Sequence, residues 1–271
     1  MQNAFRLEEP LIRSKEEQMA DGSKIYIPNY LCFGEQTVEY FKKIGATVKK
    51  FNIVGSLRLS NANQYLKKNN LINATLKFDL CLISENVKHG MQEILQPNEF
   101  GIIVKHAEKL AKKYKLKTVL ALKYPKGHIN YKKEINFYEK ILDKDSPIII
   151  NNRLNTFSSY ETAYISRLII GARSTMLAEM LAVGRRILSC NYNKDFTFNY
   201  SDFYDNCFAI SDRTYDTFEK RVLFLLSMNQ ENFHKHLEPV KNHMVDFDEN
   251  FSTFEKIKIQ LDQALKEQSK I

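Results

Sequence analysis

Leu168–Cys190 reads LIIGARSTMLAEMLAVGRRILSC and sets the architecture of this chain. It contains two short, continuous apolar runs, LIIGA and, after two arginines, ILSC. Such runs are typical of parallel strands whose two faces are both covered by helices. Between them, Met176, Leu177, Met180 and Leu181 recur with the helical period. The stretch therefore predicts a strand, a tight turn, a short helix and a second strand of a doubly wound, Rossmann-like parallel α/β sheet.

The same alternation of apolar runs and helical segments extends on both sides of this stretch. It predicts strands at Phe78–Ser84, Thr118–Lys123, Ile148–Asn151, Leu168–Gly171 and Arg186–Asn191. It predicts intervening helices at Asn98–Tyr114, Tyr131–Leu142, Ser158–Ser166 and Thr175–Val183. Right-handed crossovers place the loops that follow the strands along one edge, where open α/β sheets bind their ligands.

Shorter segments flank this sheet. Before it, the pattern predicts a partial N-terminal α/β unit made of a strand at Lys24–Pro28, a helix at Glu35–Ile44 ended by Gly45, and a strand at Val48–Val54. After it come three predicted helices, near Thr214–Met228, Asn229–Met244 and Asn250–Lys266. The polar segment Asn61–Ala74 is either a linker or a surface helix. We expect four parts: residues 1–60 as the partial unit, 61–77 as a linker, 78–245 as the Rossmann-like domain, and 246–271 as a helix that packs back.

Composition narrows the class of protein. The chain has 271 residues, 44% of them hydrophobic, and a formal net charge of +8. No stretch reaches the roughly 20 consecutive apolar residues of a membrane span, and the charged N-terminus is unlike a secretory signal, so we expect a cytoplasmic protein. The positive charge comes mainly from scattered lysines, which argues against a nucleic-acid partner and favours at most a peripheral contact with the anionic inner membrane.

The four cysteines, Cys32, Cys81, Cys190 and Cys207, are far apart in the sequence and form no CxxC pair. We expect them to be isolated buried thiols in a reducing compartment. The His-Lys-His run at 234–236 has no acidic or cysteine companions at metal-ligand spacing. The sequence predicts neither a metal site nor a cofactor.

The turn Gly171-Ala172-Arg173-Ser174-Thr175 carries the best candidate chemistry. A helix N-terminus, two hydroxyls and a guanidinium together suit a diphosphate or a phosphodiester. The plainer alternative is an N-cap at Ser174 or Thr175 beside a solvated Arg173. Glu179 lies one helical turn after Thr175 and predicts a contact with ribose hydroxyls, or else an ordinary solvent-facing glutamate.

This segment resembles the donor-binding motif of GT-B glycosyltransferases, which have two facing Rossmann-like domains. The matching features are Ser-Thr at a helix start, then Glu179, then Ala-x-Gly before another apolar strand. The closest resemblance is to bacterial surface-polysaccharide transferases that use CMP-linked acidic sugars or CDP-glycerol.

Two further motifs support the resemblance. Lys123-Tyr124-Pro125-Lys126 follows a strand as the basic-x-Pro motif of the CMP-sugar families does, although Tyr124 stands where those families have a histidine. Val54-Gly55-Ser56-Leu57-Arg58 matches a Gly-x-x-Arg strand end that closes the first domain, with Leu57 in place of a proline found in some members. Arg153, after the run IIINN, would contact a phosphate or a sugar carboxylate, unless it is only a surface charge.

The resemblance implies transfer of a sugar, or less readily a polyol phosphate, from a nucleotide-activated donor to a growing bacterial surface glycan such as capsule or lipopolysaccharide. It implies that the donor contacts are made by Lys123, Pro125, Arg153, Gly171, Arg173, Ser174, Thr175 and Glu179, without a metal. The general base is unassigned, with Glu35 as a candidate. Because the chain before Gly55 is too short for a complete first Rossmann-like domain, three interpretations stay open: a truncated reading frame, a domain of a larger enzyme, or a reduced relative. In an active enzyme a partner domain or subunit would supply the first half.

Two alternatives stay open at this point. The chain could be a non-catalytic nucleotide-binding or scaffolding remnant of a GT-B enzyme, which would bind nucleotide without turnover. It could also be a nucleotide-sugar epimerase, which would consume the donor without an acceptor.

Overall fold

The computed structural model describes residues 26–43, 47–85, 99–192 and 207–268. The described chain divides into two compact units. The small unit contains the residues up to Asn63 and those from Glu238 onward, and the large unit contains Gln64–Leu237. Gly45, residues 24–25 of the first predicted strand and Asn98 lie outside the described residues.

The large unit is a six-stranded, wholly parallel sheet in the order β5-β4-β3-β6-β7-β8. Its strands are β3 Phe78–Ile83, β4 Thr118–Pro125, β5 Ile149–Arg153, β6 Ser166–Gly171, β7 Ile187–Cys190 and β8 Ala209–Ile210. The helices between and after them are α3 Glu99–Tyr114, α4 Tyr131–Ile141, α5 Ser158–Tyr164, α6 Thr175–Ala182, α7 Tyr215–Ser227 and α8 Gln230–Leu237. The predicted Rossmann-like α/β class is confirmed, because each apolar run became a strand covered by helices.

The two central strands, β3 and β6, contribute fully buried residues to the core. Leu80, Cys81 and Leu82 of β3 and Leu168 and Ile169 of β6 are fully buried. In a parallel sheet packed on both faces, both sides of a central strand are removed from water over most of its length, so hydrophobic burial holds the strands without any alternating pattern. The strand order reverses between these two strands, which is the topological switch point of a Rossmann sheet.

The small unit pairs β1, Tyr26–Cys32, with the parallel strand β2, Thr47–Ile53, and adds α1, Glu35–Lys43. The chain passes into the large unit within α2, Leu57–Lys68, and the C-terminal helix is α9, Thr253–Gln268. Residues after Glu238 return to this unit.

Two backbone contacts fasten that returning segment. The Asp246 amide donates to the Phe33 carbonyl at 2.7 Å, and the Gln36 amide donates to the His243 carbonyl at 3.0 Å. The segment approaches so closely that a Cβ on Gly34 would lie 2.3 Å from the His243 carbonyl oxygen. The small unit is therefore built from the two ends of the described chain.

Four local predictions need correction. β1 continues past Pro28 to Cys32, because a strand paired on one side tolerates a residue without an N–H. The helix predicted at 229–244 ends at Leu237, because Pro239 cannot continue it. Arg58 is not at a strand end but in α2, whose residues 61–68 agree with the helical alternative for Asn61–Ala74. The two-residue strand β8 had no counterpart among the predicted strands.

All four cysteines are buried free thiols, as expected. Among the described helices none is long and apolar enough to cross a membrane. Within the same ranges, no cluster of three His, Cys, Asp or Glu side chains has the arrangement of a metal site.

Candidate functional site

The predicted phosphate-binding turn lies at the switch point of the large unit. β6 ends at Gly171 and α6 begins at Thr175, while the neighbouring strand β3 ends just before Ser84 and Glu85. Since both strands are parallel, both connections emerge at the carboxyl edge of the sheet. This is the place where a Rossmann sheet is open to a ligand.

Three consecutive backbone N–H groups converge at this edge. The amides of Ala172, Arg173 and Ser174 donate to Glu85 Oε1 at 2.6, 2.8 and 3.0 Å, and the Arg173 amide also reaches Oε2 at 2.8 Å. We call these three N–H groups the amide cradle. A concavity of backbone amides at a helix N-terminus binds oxyanions. In this structure the oxyanion in the cradle is the chain's own Glu85 carboxylate.

Gly171 and Ser174 shape the cradle from either side. A Cβ on Gly171 would lie 2.9 Å from Glu85 Oε1 and 3.3 Å from Leu177 Cδ1, so glycine permits the close approach of the carboxylate. Ser174 caps α6, its Oγ accepting from the Met176 amide at 3.3 Å. The capping alternative therefore holds for the Ser174 side chain, while the anion-binding groups at the turn are main-chain amides.

Burial raises the pKa of the Glu85 carboxyl to about 7. The amides of Arg173, Ala172 and Ser174 and the Arg173 charge act in the opposite direction. Desolvation disfavours the charged form of a carboxyl group and here outweighs the hydrogen bonds, so Glu85 binds a proton much more readily than an exposed glutamate does.

This shift predicts a pH-dependent contribution to stability. The unfolded chain loses the Glu85 proton near its ordinary pKa of 4.5 and the native protein near 7, so stability from this group is present below pH 4.5 and is lost as pH rises to about 7. The free energy of unfolding of the native protein minus that of Glu85→Gln should fall by about 2 kcal/mol across this window. Urea denaturation at a series of pH values measures it.

Glu219 provides a control of opposite sign. A hydrogen bond from Lys113 lowers the pKa of its carboxyl, so its contribution is lost as pH falls. A difference curve for Glu85→Gln that is flat, or that slopes like the curve for Glu219→Gln, would contradict the assigned direction.

Arg173 also faces a second acid. Its guanidinium Nε lies 3.6 Å from Glu99 Oε2, and Glu99, the first residue of α3, is buried. Glu85 follows β3 and Glu99 begins α3. Glu85 binds the amides of the turn, and Glu99 faces the guanidinium of Arg173 in the same turn. The sequence reasoning missed both acids, although Glu85 directly follows a predicted strand and was detectable by that position.

The other predicted donor residues gather at the ends of β4 and β5. Arg153 donates from Nη1 to the Lys123 carbonyl at 2.7 Å, and its Nε and Nη2 bond the carbonyls of Asn155 and Thr156. Pro125 pairs with Arg153 in the strand register. The Arg153 guanidinium thus holds the main chain at this edge, and its contact with a donor stays a prediction.

Glu134, on α4, holds the carboxyl end of β4 in place. Its carboxylate, almost fully buried, accepts from the amides of Lys123 and Tyr124 at 2.9 and 3.0 Å, and from the hydroxyl of Ser84. The Tyr124 ring stacks on His128 with centroids 4.5 Å apart. The His128 ring therefore lies against Tyr124 at the carboxyl end of β4.

Glu179 is not solvent-facing: only 3% of its surface is exposed, and its Oε2 accepts from the Tyr160 hydroxyl at 2.5 Å. The alternative of an ordinary surface glutamate is therefore wrong, while the ribose contact stays a prediction. Glu35, the candidate base, is an exposed first residue of α1 in the small unit. In that unit the neighbouring Glu39 contacts His243 Nε2 at 3.0 Å.

The fold is similar to that of GT-B enzymes. UDP-GlcNAc 2-epimerase of Methanocaldococcus jannaschii, in complex with UDP-GlcNAc and UDP, matches with a TM-score of 0.58 and 13% identity over 89% of this chain and 61% of that one. The epimerase of Neisseria meningitidis bound to UDP-GlcNAc gives 0.54 and 15% over 88% and 60%. Sucrose-phosphate synthase of Thermosynechococcus elongatus gives 0.50 and 9% over 88% and 58%.

These similarities show a GT-B-like fold, and this chain spans about three fifths of the length of those structures. No protein-family model matches the chain, and no curated protein sequence is similar to it.

Proposed function

We propose that this chain binds a nucleotide-activated sugar and acts in its transfer to a bacterial surface glycan. The amide cradle at the switch point of the large unit is the observation that carries the proposal. Three convergent N–H groups at a helix N-terminus donate hydrogen bonds to one oxyanion, and phosphate is the usual ligand of such a site in Rossmann-like sheets. The GT-B-like fold supports the same assignment.

The proposed chemistry is charge stabilisation of a leaving group. When a glycosidic bond to a nucleoside diphosphate breaks, negative charge develops on the departing phosphate oxygen. The cradle amides and the Arg173 guanidinium are fixed donors at one turn, and preorganised donors of this kind lower the barrier where charge develops. Lys123, Pro125 and Arg153 at the neighbouring strand ends would border the donor, and Glu179 would bind its ribose.

The second candidate is nucleotide-sugar epimerisation. UDP-GlcNAc 2-epimerases, two of them in complex with UDP-GlcNAc, are among the proteins with a similar fold. An epimerase would use the same cradle to bind a departing nucleoside diphosphate and would change the donor without any acceptor. Incubating the chain with UDP-GlcNAc alone and with a glycan acceptor, and analysing both mixtures, separates the two reactions. A protein that binds the donor but converts it in neither mixture would be the non-catalytic alternative.

The donor site has a specific test in Arg173→Ala. Loss of one charge-assisted contact to phosphate costs about 1.5–3 kcal/mol, so we expect binding to weaken by about 10-fold to 150-fold. Isothermal titration with CMP, CDP, UDP and GDP measures the effect and identifies the base. Arg167→Ala is a matched control that removes the same charge at the amino end of β6, where Arg167 pairs with Asp79 at 2.9 Å.

Equal weakening by the two substitutions would show that only general positive charge matters. Because the Glu85 carboxylate lies on the cradle amides, Glu85→Ala is titrated beside the native chain, and absence of binding of all four nucleotides to both folded proteins would overturn the donor-site proposal and leave the α/β fold.

A further inference from the structure

The amide cradle already has an anionic occupant. Four hydrogen bonds of 2.6–3.0 Å connect the Glu85 carboxylate to the amides of residues 172–174, and all of them come from the main chain. A phosphate oxygen bound by the same amides would have to lie where the Glu85 oxygens lie. The carboxylate and a phosphate group therefore cannot occupy the cradle together.

Electrostatics makes the exclusion stronger than steric overlap alone. Glu99 faces the guanidinium of Arg173 while Glu85 fills the amides, so two carboxylates oppose the positive features of one turn. Cys190 and Tyr192 follow from β7, and burial, together with Glu99, raises the pKa of both groups, so they remain neutral. An incoming phosphate would therefore meet the negative charge of Glu85 and Glu99 at the turn that carries its binding groups.

We propose that Glu85 is an intramolecular competitor for the oxyanion site, and that a phosphate-bearing ligand binds only when it displaces the Glu85 carboxylate from the amides of residues 172–174. This inference rests on the proposed donor site and adds its regulation: the resting chain closes the site with its own side chain. The apparent affinity equals the affinity of the open cradle multiplied by the fraction of molecules in which the cradle is open.

Displacement is compatible with the local structure. Glu85 lies beyond the end of β3, so its side chain can leave the cradle without breaking a strand pair of the sheet. The surroundings withdraw its carboxyl from water enough to raise the pKa, but part of the residue is still exposed, so water can reach the amides that it vacates.

The test compares ligand affinity among variants at about pH 8, where native Glu85 is mostly ionised. The probes are inorganic pyrophosphate and UDP, titrated calorimetrically into the native chain, Glu85→Ala and Glu85→Gln. If Glu85 fills the cradle about 90–99% of the time, its removal tightens binding about 10-fold to 100-fold. Glu85→Gln keeps the shape but loses the charge, so it should lie between the native chain and Glu85→Ala.

Glu219→Ala is the matched control for net charge. It removes one carboxylate of the same unit, paired with Lys113 near the C-terminal end of α3 and therefore at the opposite edge of the sheet. Its affinity for both probes should stay within about twofold of native, because its charge is paired with Lys113 at the other end of α3 from Glu99 and the cradle. Far-ultraviolet circular dichroism confirms that each variant is folded.

The outcomes separate the two proposals. Binding by the native chain that is unchanged or weaker in both folded Glu85 variants would overturn the competitor role and leave the donor site. Tighter binding in Glu219→Ala equal to that in Glu85→Ala would also overturn it, because general charge would then explain the gain. Failure of every folded variant to bind either probe would overturn the donor site itself.

Discussion

Gly55→Ala should destabilise the small unit by more than about 3 kcal/mol, which is large for a single methyl group. Gly55 has φ +82°, and an L-residue costs about 1–2 kcal/mol in this left-handed region. The added Cβ would also lie 2.1 Å from the Asp246 carbonyl oxygen. That oxygen is main chain, and its own segment is fastened by the bond from the Asp246 amide to Phe33 and by the Lys256 contact with Asp246.

Gly127→Ala isolates the backbone contribution. Gly127 has φ +96°, but no atom lies within 4 Å of the Cβ it would acquire. Its substitution should therefore cost only about 1–2 kcal/mol. Urea denaturation followed by circular dichroism measures both variants. Equal losses for the two glycines would show that the close approach of residue 246 contributes nothing.

Glu134→Ala should destabilise the large unit by about 3–5 kcal/mol, since hydrogen bonds to a charged group contribute about 1.5–3 kcal/mol each. The substitution removes the acceptor of the Lys123 and Tyr124 amides and of the Ser84 hydroxyl. These donors are partly or fully buried, and burial without a partner costs free energy. Because the carboxyl end of β4, which borders the proposed donor site, would lose these hydrogen bonds, nucleotide binding should weaken as well.

Glu139→Ala is the control on the same helix. Glu139 is exposed on α4, so its removal should change the free energy of unfolding by less than about 0.5 kcal/mol. Glu134→Gln retains one carbonyl acceptor and should fall between the two. A loss in Glu134→Ala no larger than that in Glu139→Ala would show that water replaces the carboxylate without cost.

The sequence predicted the large unit well because its signals are local. Buried parallel strands must be continuous apolar runs, and the intervening helices must have an apolar stripe. Both patterns are visible in the sequence between Phe78 and Cys190. The prediction failed where a single residue outweighed a periodic pattern. Pro239 ended a helix whose apolar spacing continued, and Pro28 was tolerated because, among the described strands, β1 pairs with β2 on one side alone.

The candidate site was predictable in its parts and not in its assembly. Gly171, Ser174 and the start of α6 were recognisable from a turn between a strand and a helix. The partner of the turn was not, because Glu85 is separated from the cradle amides by 87–89 positions. Likewise, nothing local to Glu179 shows that it turns inward to Tyr160.

The sequence by itself therefore determined the α/β class, the strands and helices of the large unit, and the turn able to bind an oxyanion, because hydrophobic period and turn chemistry depend on neighbours along the chain. Only the tertiary structure decided the strand order, the fact that it is the small unit that residues 238–268 join, and the carboxylate that fills the cradle. These features depend on which distant segments pair when the core is buried. Pairing of that kind leaves no periodic trace in either segment alone.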